Sequence, residues 1–181
     1  MVASPVNQGL DGVDTTLQYL RNIEDIIFGN NGKNGMLTIE MTAAMNIADK
    51  LHDTKRESFT ENLGDIMRSF NQVGDDIEKL RDLINFTLEA SDGYSSGPGL
   101  IELERNYINC CNALRGSIDA AYKKASEIFR EYGISNIHKR FKDARPTLDD
   151  SVDSLKELGI SYIFGHNLPQ DTEGREGSNQ N

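Results

Sequence analysis

At 181 residues the chain has the size of one ordinary domain, long enough to bury a core without disulfides or a structural metal. Charged residues make up 27% and the formal net charge is -10, a balance that repels nucleic acid and anionic lipid surfaces. Tryptophan is absent, the two cysteines Cys110 and Cys111 are adjacent, and no apolar run approaches the ~18 residues of a membrane span, which excludes a disulfide framework and a hydropathy-defined membrane protein.

Met1 to about Leu10 reads as a disordered lead-in with neither the basic start nor the apolar run of a signal peptide. A first helix is expected from Asp11 or Asp14, either of which can cap, with Val13, Leu17, Leu20, Ile23 and Ile27 on one face. Gly29 ends it, and Asn30 to Gly35 forms a loop of residues that tolerate left-handed backbone. A second helix is predicted over about Leu37 to His52, with Ile39, Ala43, Ala44, Ile47, Ala48 and Leu51 inward. Its phase is lost over Asp53 to Glu57, and Ser58-Phe59-Thr60-Glu61 has the form of a capping box that opens a new helix.

From Phe59 to Ile84 the apolar residues fall at alternating steps of four and three: Phe59, Leu63, Ile66, Phe70, Val73, Ile77, Leu80, Ile84. One helix cannot hide such a stripe, so it must pack against others. Met67, Leu83 and Leu88 widen it, which favours a bundle over a two-stranded rod. After a loop at Ser91–Gly97, Pro98 suits the first turn of a fourth helix running to Tyr132. The inward stripe there is Leu100, Tyr107, Cys111, Leu114, Ile118, Ala121, Ala125, Ile128 and Tyr132, with Ile101, Ile108, Tyr122 and Phe129 as a second strip. Gly133-Ile134 and Gly159-Ile160 both read as helix stops. Between them, Ser135 to Ala144 is expected as a turn, followed by a short helix from Pro146 that buries Leu148, Val152 and Leu155. Residues 165–181 read as a disordered tail.

The expected fold is therefore all-α: an elongated four- to five-helix bundle over 11–164, with a long antiparallel hairpin of about 59–90 and 98–132. Charge supports the pairing. Residues 105–145 carry nine basic and four acidic residues, whereas 58–90 carry three basic and seven acidic, so the two hairpin arms attract one another.

No catalytic, cofactor or metal constellation is legible. Helical-bundle metal sites use Glu-x-x-His pairs, and none occurs; Asp49 and His52 have that spacing but nothing to complete a site. Gly-x-Ser-x-Gly and Gly-Lys-Ser/Thr are both missing. The candidates that remain are contact residues. Lys139, Arg140 and Lys142 form a basic cluster, Phe86 lies off the third-helix stripe, and Tyr162, Ile163 and Phe164 form an apolar run beside the tail. Apolar groups next to flexible segments mark interaction sites. The sequence thus points to a non-enzymatic interaction protein, an adaptor, scaffold or assembly subunit, with a protein partner or self-association. The alternative is a secreted or membrane-acting helical effector, translocator or pore-forming domain that opens its bundle. The expected compartment is the cytoplasm, or the exterior by a route that needs no cleaved signal.

Overall fold

The computed structural model describes the backbone of residues 5–30, 32–90 and 98–165, with side chains over 12–30, 32–89, 99–134 and 142–165. The expected loop at 91–97 and the tail from 166 onward lie outside the described residues. Among the described residues five helices appear: α1 Pro5–Phe28, α2 Met36–Ala48, α3 Asp53–Ala90, α4 Pro98–Glu131 and α5 Ser135–Tyr162. A two-residue antiparallel pair, β1 Gly29–Asn30 with β2 Lys33–Asn34, joins α1 to α2.

Four long helices form an antiparallel bundle in which α3 packs against α4, α4 against α5, α5 against α1 and α1 against α3. Side-chain pairs fix the directions. Ser58 and Tyr132 share a hydroxyl hydrogen bond of 2.8 Å at one end of the α3/α4 hairpin, and Ser117 donates to Asp76 further along. Arg145 pairs with Asp119, while the Tyr107 hydroxyl donates to the Leu155 carbonyl at 2.5 Å, so α5 runs back along α4. Arg81 reaches Glu24 at 3.0 Å and the Phe28 ring lies over Gly74, which set α1 antiparallel to α3. Where α1 ends, α2 succeeds it along the same edge, packing on α3 and α5, with Met36 in contact with the Tyr122 hydroxyl at 3.2 Å.

The third-helix stripe is buried from Phe59 through Ile84 without an exception. Each of these side chains contributes about 1.5–3 kcal/mol of apolar transfer, against the ~1 kcal/mol that Gly64 or Gly74 takes from the helix. In α4, Tyr107 to Ile128 is buried as the stripe requires, and Tyr122 and Phe129 of the second strip are buried too. Ile101 of that strip is exposed instead.

Three boundaries and one helix rotation depart from the sequence reading. α1 begins at Pro5, not at Asp11 or Asp14, because proline suits a first turn and nothing in the next six residues forbids helix. The break before α3 falls at Asp49–His52, so α3 starts at Asp53; Ser58 does not cap it but bonds Tyr132 across the bundle. α2 is rotated: Leu37, Glu40, Met41, Ala44 and Ala48 face inward while Ile39, expected inside, is exposed. Ser135 to Ala144 is helical, since α5 restarts directly after Ile134 and runs through Pro146, which forgoes one main-chain hydrogen bond without ending the helix.

The two expected stops have opposite outcomes. At Gly133 the backbone takes φ 69°, the Ile134 amide donates to the Phe129 carbonyl and the Gly133 amide to Arg130, the paired bonds of a Schellman motif. Gly159 stays inside α5. Its missing Cβ makes room for the Tyr107 ring, with which a side chain there would overlap. The helix ends instead where the Ile163 and Phe164 amides both donate to the Gly159 carbonyl.

Candidate functional site

A largely apolar groove of about 650 Å³ opens along the α3/α4 hairpin. Helical spacing builds it. Leu83 and Phe86 continue one row of α3, Cys110 and Ala113 one row of α4, and each pair is three residues apart and therefore stacked on one face. Phe86 is 56% exposed, an uncommon position for a phenylalanine in a fold that buries thirty apolar residues among those described. Lys79 and Asp82 edge the groove on α3, Asn106 and Asn109 on α4.

Asp76 closes one end and is nearly buried. It accepts hydrogen bonds from Gln72 at 3.1 Å and from the Ser117 hydroxyl, so the carboxylate is satisfied by the hairpin itself and ties the two walls together. Cys110 lines the floor. Burial pushes its thiol above the ordinary value; the Lys79 ammonium opposes this and the Asp76 carboxylate adds to it. Its neighbour Cys111 faces the core, and burial there raises the thiol to about 12. Neither thiol is poised as a nucleophile at neutral pH, because the reactive species is the thiolate.

These shifts have a testable consequence. A thiol whose pKa is raised in the folded state contributes stability that is complete below its unfolded value, near 8.5, and is lost as pH rises toward the folded value. Burial shifts Tyr107 in the same direction. Urea unfolding midpoints are expected to fall from about pH 8.5 upward, and Cys111→Ala should flatten that fall. A midpoint independent of pH to 10 contradicts the buried, neutral thiol.

The other sequence candidates do not converge on the groove. Tyr162 is 45% exposed and its ring covers Gly12 of α1. Ile163 is half-buried. Phe164 must be withdrawn as a contact residue: it is buried, with its ring 5.6 Å from that of Tyr107, because the chain folds back over the end of α5. Lys142 is exposed at the far end of the molecule, beside a cleft of about 260 Å³ with Tyr122, Lys123, Ser126, Arg145 and Pro146. The side chains of Lys139 and Arg140 lie outside the described residues. In that cleft Arg145 is already engaged: it pairs with Asp119 and Asp149 and its guanidinium lies 5.1 Å above the Tyr122 ring. Arg115 adds ion pairs of 3.1 Å to Asp149 and 2.5 Å to Asp153, so this seam binds α4 to α5.

Reading the sequence singled out Phe86 but not its partners. Leu83 was legible as a residue flanking the stripe, and Cys110 with Ala113 repeats the same three-residue step. What a single helix pattern lacks is the knowledge that these two rows face the same side of the hairpin. Among the described residues no group of His, Cys, Asp and Glu is placed to hold a metal ion, and no helix is long and apolar enough to cross a membrane. Compared with known proteins, the chain matches no family, no curated protein and no solved structure. What is established is the class, an all-α helical bundle, with five helices among the described residues.

Proposed function

We propose that this is a non-enzymatic interaction protein, an adaptor, scaffold or assembly subunit, that receives a basic amphipathic helix of a partner protein in the α3/α4 groove. The observation that carries the reading is the exposed Phe86 beside Leu83, Cys110 and Ala113 in a groove between two helices. Helix-in-groove recognition uses such troughs, with anchors on the guest at i, i+3, i+4 and i+7. An exposed aromatic flanked by polar edges has the composition of an interface centre. The guest's charge follows from the host. Of the charged residues lining the groove, Asp76 and Asp82 outnumber Lys79, and the chain as a whole carries -10, so a basic helix is favoured there over an acidic one.

A photoreactive phenylalanine analogue at position 86, introduced in the native cells, tests this against the same analogue at Glu61 on the outer face of α3. The expected result is an adduct specific to position 86 whose cross-linked segment is a basic amphipathic helix, lost when Ala113→Arg fills the trough. No adduct above the position 61 background, or an adduct to lipid or nucleic acid, overturns the proposal.

A further inference from the structure

Phe86 stands among carboxylates. On α3 it follows Asp82 by four residues and precedes Glu89 by three, spacings that put all three on one side of the helix. The Ser117–Asp76 and Tyr132–Ser58 bonds set the register of the hairpin, so each step along α3 toward its C-terminus meets a step back along α4. Phe86 therefore falls level with Asn106 across the groove, and Glu102, one turn before Asn106, falls level with Glu89 to within a turn. Asp82, Glu89 and Glu102 are all exposed, and among the described residues none of the three is ion-paired. The neighbouring cations serve other places. Lys79 lies two turns before Phe86, at the end that Asp76 closes, where both act on the Cys110 thiol. Arg81 pairs with Glu24 and Glu78 where α3 meets α1. Arg105 belongs to the face of α4 that carries Ile101 and Ile108.

What the Phe86 ring receives follows from the cost of covering it. An apolar anchor laid there takes water from the surrounding carboxylates and gives them nothing in return. A cation reverses that balance. Its charge meets carboxylates from both walls of the groove, and the negative face of the ring attracts it. Arginine satisfies both demands together: the planar guanidinium stacks on an aromatic face while its N–H donors point outward in the plane, toward carboxylates and the Asn106 amide oxygen. A lysine ammonium is a compact point charge and lacks that flat face.

We infer that Phe86 is the seat of an arginine presented by the partner helix, stacked on the ring and held by Asp82, Glu89 and Glu102. This rests on the groove reading proposed above and names the side chain that the groove selects. The guest's apolar residues then lie about one turn away, on Leu83, Cys110 and Ala113.

Fluorescence anisotropy of the full chain with three labelled, alanine-based helical peptides tests this. Each peptide carries two leucines four residues apart for the groove floor. One turn beyond that pair, at both ends so that either docking direction presents it to Phe86, stands arginine, lysine or leucine. The arginine peptide should bind at least about tenfold more tightly than the leucine peptide, and more tightly than the equally charged lysine peptide. Phe86→Leu keeps an apolar side chain at an exposed position and removes the ring; it should leave circular dichroism unchanged and erase the preference for arginine over lysine. Asp82→Asn with Glu89→Gln should bring the arginine peptide toward the affinity of the leucine peptide. Leucine binding as tightly as arginine, an arginine preference that survives Phe86→Leu, or no binding of any peptide overturns the arginine seat. The groove reading fails separately. It is lost with the position 86 adduct, whereas an adduct to a partner helix that holds no arginine loses only this inference.

Discussion

Replacing Gly159 with valine is expected to destabilise the protein by about 3–5 kcal/mol, a fall in Tm of roughly 6–20 °C. Gly159 lies within α5, where the fully buried Tyr107 of α4 occupies the space a side chain would need. The ring has no route out. It is packed against Phe164 and its hydroxyl donates to the Leu155 carbonyl, so admitting a branched side chain forces the helices apart and strands a buried hydroxyl. Helix propensity acts in the other direction, since Gly→Ala in a helix interior gains about 1 kcal/mol. The two effects can be separated within the same pair of helices. At Gly116 of α4 nothing lies within 4 Å of a built Cβ, so Gly116→Ala should stabilise by about 0.5–1 kcal/mol, while Gly159→Ala destabilises. Urea unfolding followed by circular dichroism measures both. Equal signs at the two sites remove the close α4/α5 approach as the reason for this glycine.

Gly159 also shows where the sequence stops being informative. Leu158-Gly159-Ile160 and Tyr132-Gly133-Ile134 have the same form, and local capping rules treat them alike, yet one ends a helix with φ 69° and the other holds two helices together. The difference lies in Tyr107, fifty-two positions before Gly159, and no local pattern contains it. The α3 stripe was legible because its eight residues repeat one spacing with charged residues on the opposite face, which leaves a single rotation of the helix. α2 has apolar residues on every side, so Leu37, Met41 and Ala44 compete with Ile39, Ala43 and Ile47 for the core. Tertiary contacts decide that competition, and Glu40 goes inward with the winning face. The candidate groove was half legible for a related reason: a row on one helix can be read from spacing, whereas a trough needs the relative rotation of two.

Phe70→Ala is expected to cost about 3–5 kcal/mol, whereas Phe86→Ala on the same helix should change stability by less than about 0.5 kcal/mol. Phe70 is fully buried in the middle of α3, with its ring 6.1 Å from that of Tyr122 in an edge-to-face arrangement. Truncation removes the transfer free energy of the ring and leaves a cavity that the packed helices cannot close without losing contacts elsewhere. It also loosens Tyr122, whose hydroxyl meets Met36 of α2 and whose ring lies under the Arg145 guanidinium, so the damage spreads to α2 and to the α4/α5 seam. Phe86 has none of these neighbours to lose, being more than half exposed at the groove. The pair of variants therefore separates folding from recognition: Phe70→Ala should lower the unfolding midpoint and weaken partner capture only through loss of folded protein, while Phe86→Ala should leave the midpoint in place and weaken capture directly. A destabilisation at Phe86 comparable to that at Phe70 would show that Phe86 belongs to the core and would remove the groove as a docking site.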